Sequence, residues 1–314
     1  MDTGGTLILP PGHSTFAPQV DALFYLIFYI VTAFFAVVVF GLIYFGIRYR
    51  RGRRRESKES GPTHNTMLEI VWTAIPTVLA IFVFFKGFNL YMKMYIPPKD
   101  ALEIKVTGQK WFWSFDYPNG TTTVNELDVP VNKPIKLLMS SKDVIHGFYI
   151  PDFRIKNDVL PNRYTVTWFE ATEPGAYNIF CTQYCGKGHS EMLAKVKVMS
   201  EREFNDWLTS GSEAGKGMPP AEFGAKLYQS KACATCHRID GIASVGPSFK
   251  GIFGNQVKLS NGSSVMVDEN YIRESILNPG AKVVMGFQPV MPTFQGILSD
   301  KEIDALIAYI KSLK

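Results

Sequence analysis

Cysteine and histidine are scarce in this chain, four and five among 314 residues. The cysteines fall in two close pairs, Cys181 with Cys185 in CTQYC and Cys233 with Cys236 in CATCH. None is left for a separate structural disulfide, so the pairs point to chemistry more than to stapling. There is no internal repeat. There is also no basic stripe interleaved with aromatics. Six arginines crowd between Arg48 and Arg55 beside an apolar run, and they account for most of a net charge of +5. That pattern does not support nucleic-acid binding.

The apolar residues are concentrated in the N-terminal third. Residues Ala22 to Ile47 are almost wholly apolar or aromatic, and as a helix they would rise ~39 Å, enough to cross a bilayer core with some tilt. A signal peptide would be shorter, with basic residues before it rather than after. A second apolar run, from about Met67 to Tyr95, contains Pro76, tolerable in a packed membrane helix, and Lys86, which can snorkel from near one end. The basic loop between them, RYRRGRRRESK, belongs on the cytoplasmic side, so everything after about residue 96 is expected on the opposite face.

From Ala101 to Ser200 the texture changes to short alternating stretches such as LEIKVTG, PIKLLMSS and RYTVTWFE, punctuated by Pro118-Asn119-Gly120, Pro161-Asn162 and Pro174-Gly175. This predicts an antiparallel β-sandwich or barrel. A short amphipathic segment and a Gly/Ser/Pro-rich linker, SGSEAGKGMPP, follow. A small helical domain then occupies residues 221–314. Its last helix carries a capping box at Ser299 and Glu302, and Ile303, Leu306, Ile307 and Ile310 recur at helical spacing. The expected organisation is an external segment (1–21), a transmembrane helical hairpin (22–96), a sandwich (97–200), a linker (201–220) and a helical domain (221–314).

Cys181-Thr-Gln183-Tyr-Cys185-Gly-Lys-Gly-His189-Ser-Glu-Met192 puts two thiolates, an imidazole and a thioether on one loop. Soft ligands of this kind select copper. A CxxxC pair alone would read as a disulfide, and zinc could take two cysteines and two histidines. Neither explains why His and Met follow in that order. The second imidazole falls to His146, the unassigned histidine of this domain. Cys233-Ala-Thr-Cys236-His237 is the CxxCH motif of covalent haem c attachment, with His237 as the proximal ligand. A redox dithiol would not need the histidine. Met266, Met285 and Met291 can each serve as the distal ligand.

The segment from His146 to Met192 resembles the copper-binding domain of cytochrome c oxidase subunit II, a cupredoxin fold with a dinuclear CuA centre. The resemblance implies that Cys181 and Cys185 bridge two coppers. His146 and Met192 would complete one copper, and His189 and the carbonyl of Gln183 the other. The family usually carries a glutamate where Gln183 stands, and that carboxylate helps hold magnesium at the contact with subunit I. Gln183 offers only a neutral oxygen, which puts the magnesium role in doubt. Trp111-Phe-Trp113-Ser-Phe115-Asp-Tyr117 resembles the family's aromatic segment and implies that Trp111 lies where electrons reach the copper. A plain strand with large core side chains reads the same way. His64-Asn-Thr-Met-Leu-Glu69-Ile-Val-Trp72 resembles the start of the family's second helix, implying that Glu69 lies at the mouth of a proton path into subunit I. An interfacial carboxylate solvated by headgroups is the plainer reading.

Gly286-Phe-Gln-Pro-Val-Met291-Pro resembles the methionine loop of class I cytochromes c and selects Met291. Gly246-Pro247 resembles that family's proline, whose carbonyl accepts from the proximal imidazole. His/Met ligation raises the haem potential. Together these features resemble a subunit II with a fused cytochrome c, the caa3 type. The resemblance implies electron transfer from an external donor, a soluble cytochrome or the bc1 complex, through haem c and CuA to subunit I, with its haem a and haem a3-CuB. Oxygen reduction and proton pumping would occur there, not in this chain, and subunit III would be a further partner. The expected location is the bacterial inner membrane, multi-pass, with both cofactor domains on the periplasmic face. A CuA-containing nitric oxide reductase is the nearest rival. A membrane-anchored copper carrier or sensor would not need CATCH, and a nitrous oxide reductase needs more than five histidines.

Overall fold

The computed structural model describes residues 5–50, 64–210 and 217–314. Most of the basic loop and of the Gly/Ser linker lies outside the described residues. The chain divides into two compact units, residues 16–96 and residues 97–314 with the N-terminal segment up to Thr15.

The first unit is a helical hairpin, α1 (Ala17–Arg48) and α2 (Thr66–Tyr95). α1 starts five residues before the apolar run, because Pro18 presets the first turn and polar Gln19 and Asp21 are accommodated there. The Asn65 side chain caps α2 by accepting from the Leu68 N–H at 3.1 Å. α2 continues through Pro76. Lys93 donates to the Gln19 side chain at 3.3 Å, joining the two helices at one end. Both helices are long and apolar enough to cross a membrane, and the apolar stretches leave their side chains uncovered, ready for lipid or another chain.

The second unit begins with a β-sandwich. One sheet has the order β3 (Thr122–Val124), β2 (Phe112–Asp116), β1 (Leu102–Gln109), β5 (Pro134–Ser141), β8 (Thr165–Glu170). The other runs β4 (Glu126–Pro130), β10 (Leu193–Met199), β9 (Gly175–Cys181), β6 (His146–Ile150), β7 (Ile155–Val159). The sandwich matches the expectation, but its sheets are mixed. β1 pairs in parallel with β5, and β4 with β10, because the chain crosses between sheets rather than turning back in hairpins. Trp113, Phe115, Phe148, Phe153 and Phe169 fill the interior. Trp113 meets Phe148 edge-on at 5.1 Å. Residues 201–210, the short amphipathic segment at the start of the expected linker region, form helix α3 (Glu201–Ser210), whose Phe204 and Trp207 pack on Tyr117.

The C-terminal part is helical. α4 (Pro220–Ser230) packs on α7 (Asp300–Ser312) so closely that a Cβ at Gly224 would lie 2.0 Å from the Ala305 carbonyl oxygen. α5 (Cys233–Cys236) is one turn, and α6 (Glu269–Leu277) completes the set. The Ser299–Glu302 capping box is formed. A two-stranded hairpin, β11 (Gln256–Lys258) with β12 (Ser264–Met266), departs from the all-α expectation; its strands are too short to leave a period-two signal.

Asp128 on β4 is 1% exposed, and neither carboxylate oxygen has a hydrogen-bond partner. Burial, aided by the charge of Glu126 and opposed by Lys197, pushes its carboxyl up to about 7. The folded state therefore holds a proton that the unfolded chain releases between about pH 4 and 7, and stability falls as pH rises through that window. Asp128→Asn should stabilise the sandwich at pH 8 by on the order of 2 kcal/mol, read as a higher thermal unfolding midpoint, with a smaller gain at pH 5. Near-ultraviolet circular dichroism at the two pH values checks this.

Candidate metal and haem sites

The copper-type residues gather at one end of the sandwich. Cys181 ends β9, His146 begins β6, and the loop between β9 and β10 carries Gln183, Cys185, His189 and Met192. The Cys181 and Cys185 sulfurs lie 3.8 Å apart, well beyond a disulfide bond, and both are free. Around them stand His146 Nδ1, 3.9 Å from Cys181 Sγ, and His189 Nδ1, 3.6 Å from Cys185 Sγ. Met192 Sδ lies 3.9 Å from Cys185 Sγ, and the Gln183 carbonyl oxygen 3.3 Å from Cys181 Sγ. Two sulfurs, two imidazole nitrogens, a thioether and a carbonyl thus converge, a donor set that fits two soft cations bridged by thiolates.

The imidazole of His146 is fixed from behind. Its Nε2 pairs with Asp143 Oδ1 at 2.8 Å, which leaves Nδ1 facing the sulfurs. Asp143 also accepts the backbone N–H groups of Lys110 and Val144. Burial works against its charge, but these hydrogen bonds outweigh it and hold the carboxyl below its usual range. Asp143 was missed in the sequence, although a carboxylate three residues before a ligand-type histidine is a readable signal. Burial raises both thiols of the pair. At Cys181, hydrogen bonds from His146 and its surroundings outweigh burial and pull the thiol down, while the Cys181 charge drives Cys185 further up. Holding both as thiolates calls for added positive charge between them.

The haem-type residues line one cavity in the C-terminal domain, enclosing about 1340 Å³ with its open mouth counted. Cys233, Cys236, His237 and Met291 all line it. Met266 and Met285 do not, and are 53% and 55% exposed. His237 Nδ1 contacts the Pro247 carbonyl at 2.8 Å, and its ring stacks on Phe249 at 4.4 Å. A Cβ at Gly246 would lie 2.5 Å from the imidazole, so only glycine admits the ring there. Burial pushes the Cys233 thiol up to about 12, and burial with the Glu191 charge pushes Cys236 up to about 11. Neutral thiols of this kind make a poor redox dithiol. A large apolar cavity with both sulfurs and one oriented imidazole on its wall fits a covalently held porphyrin.

Trp111 touches both sites. Its indole N–H donates to the Cys185 carbonyl at 3.1 Å, and the same residue lines the haem-type cavity, as do Lys110 and Phe112. It is 5% exposed. Glu69 lies in the first turn of α2.

Three family profiles match the chain. Residues 3–90 match the transmembrane domain of cytochrome c oxidase subunit II, residues 121–199 its periplasmic domain, and residues 221–314 cytochrome c. The chain is 30% identical to cytochrome c oxidase subunit 2 of Alkalihalophilus pseudofirmus over 297 residues, covering 91% of this chain and 84% of that one. It is 28% identical to the Synechocystis subunit 2 over 256 residues, covering 66% and 76%. The crystal structure of the periplasmic domain of subunit II of cytochrome oxidase from Bradyrhizobium japonicum is 36% identical, covers 38% of this chain and 98% of that one, and aligns with a TM-score of 0.36.

The fit around Trp111 is tight. A Cβ at Gly188 would lie 2.6–2.9 Å from the indole ring. Gly188→Ala should therefore destabilise the sandwich by about 1–3 kcal/mol through overpacking. Denaturant unfolding followed by tryptophan fluorescence checks this.

Proposed function

The chain belongs to the cytochrome c oxidase subunit II family, carrying a cytochrome c domain at its C-terminus, and on that premise we propose that it passes single electrons from an external donor toward subunit I of a haem-copper terminal oxidase. When bound, haem c and a dinuclear copper centre supply two one-electron stations between that donor and the catalytic chain. The single observation that carries the reading is the position of Trp111, which bonds to the backbone of the copper-type loop and lines the haem-type cavity.

The chain's own residues have distinct parts in this reading. Cys233 and Cys236 would tether the porphyrin, and His237, oriented by the Pro247 carbonyl, and Met291 would ligate its iron. Cys181 and Cys185, together with His146, His189, Met192 and the Gln183 carbonyl, would hold the coppers. Asp143 orients the His146 ring through its Nε2, leaving Nδ1 toward the sulfurs. Burial at the sandwich end excludes water from the sulfurs and keeps the local dielectric low. The hairpin anchors the chain in the membrane, and the reading places it in a bacterial inner membrane with both cofactor domains outside. Its uncovered apolar faces would meet subunit I, and subunit III is expected in the same complex. Glu69, in the first turn of α2, would sit at the cytoplasmic surface and feed protons to subunit I. Reduction of oxygen and proton pumping belong to the partner chain.

The visible and near-infrared spectrum of the purified complex, with oxygen and nitric oxide consumption measured in parallel, tests the reading. Haem c bands, a mixed-valence copper band and oxygen consumption are expected; nitric oxide as the reduced substrate would contradict it. Cys185→Ser should remove the copper band and leave haem c in place. Glu69→Ala should lower oxygen turnover severalfold, and unchanged turnover would end the proton role.

A further inference from the structure

The haem-type cavity does not end within its own domain. Its wall includes Lys110, Trp111 and Phe112 from the turn between β1 and β2 of the sandwich. Phe112 stacks on Phe294 of the C-terminal domain with ring centres 5.7 Å apart and planes 9° from parallel. Phe112, Val124 and Ala232 form a buried cluster with Ile297 packed against it, so each domain supplies part of the apolar contact. Beside it, Lys231 reaches across to donate to the Thr122 carbonyl at 3.4 Å. The same ammonium pairs with Glu302 at 3.3 Å, and Glu302 caps α7, so the latch is tied to the last helix. Phe112 and Phe294 are both buried in this arrangement.

We propose that this patch is a built docking surface, pinned by the Phe112–Phe294 stack and latched by Lys231 on Thr122, and that it sets the approach of the cytochrome domain to the copper site. Phe112 and Lys231 are then positioning residues. Phe112 lines the haem-type cavity and the Lys231 carbonyl lies 4.0 Å from Cys233 Sγ, so both act from the cavity wall, by holding its mouth against Trp111. Docking also covers Trp111, so the copper site faces the chain's own cytochrome rather than a soluble protein. The step served makes and breaks no bond: one electron leaves the haem c, which is oxidised, and is taken up by the copper pair, which is reduced. The functional part of this inference rests on the reading above. The docking part rests on the contacts alone.

The apolar stack contributes most of the pin, since flat aromatic faces gain from area and from ring geometry together. The Lys231 bond is longer and adds direction more than strength. Removing the Phe112 ring should therefore loosen docking more than neutralising Lys231.

Two measurements on the full chain in its complex test the proposal. Hydroxyl-radical footprinting reads the solvent access of Phe294, and stopped-flow spectroscopy reads the haem-to-copper step after rapid reduction. Phe112→Ala should raise Phe294 oxidation severalfold and slow the step by about tenfold or more, as expected for loss of a fixed approach. Phe112→Tyr should keep both near the parent values, and Lys231→Met should fall between the two. Phe112→Ala that leaves either readout at the parent value overturns the proposal. Absence of copper or haem from the parent complex would instead defeat the functional reading, and the footprint would still decide whether the domains dock.

Discussion

Three consecutive residues, Lys110, Trp111 and Phe112, tie the structure together. The Lys110 backbone N–H is held by Asp143, the carboxylate that also fixes His146. The Trp111 indole is held by the Cys185 carbonyl and backed by Gly186 and Gly188. The Phe112 ring leaves the sandwich and stacks on Phe294. A strand turn is thereby bonded to the metal-type cluster on one side and packed on the haem-type cavity on the other. Such a turn can stay fixed because β1 and β2 are locked in a sheet at both ends.

The two cysteine pairs show how environment divides one chemistry into two. Cys181 lies among hydrogen-bond donors that favour its thiolate, and its charge suppresses ionisation of Cys185 close by. That pair suits cations held between the two sulfurs. Cys233 and Cys236 lie in apolar surroundings that keep them neutral. That pair suits permanent covalent capture on a cavity wall. Spacing contributes as well: CTQYC spans the end of a strand and a loop, whereas CATCH folds into a single helical turn that presents both sulfurs to one cavity.

Much of this was legible in the residues. The apolar runs marked the hairpin, the alternating segments marked the sandwich, and Ser299 with Glu302 marked the last helix. The loop from Cys181 to Met192 and the CATCH motif each group several candidate residues within a few positions, so local spacing marked them, whereas His146 and Met291 lie far along the chain. What escaped was non-local. The parallel pairings β1–β5 and β4–β10 depend on crossovers between sheets that a period-two pattern does not encode. The pairing of Asp143 with His146 is local and readable, but its hold on the Lys110 backbone, 33 positions away, is not. Phe112 and Phe294 read as ordinary core aromatics, and their meeting across 182 positions is a tertiary event. The unpartnered carboxylate of Asp128 reads as a surface charge until β4 and α3 are placed over one another.

In this reading both cysteine pairs hold redox cofactors, a pair of metal ions in one case and a porphyrin in the other. An anaerobic reductive titration of the purified full chain, followed by electron paramagnetic resonance, tests it most directly. The chain should take up one electron at a low-spin haem and one more at a centre whose unpaired spin, before reduction, is shared equally by two coppers. A chain that accepts no electron at the Cys181/Cys185 site, or that shows copper hyperfine structure from a single ion, would contradict it.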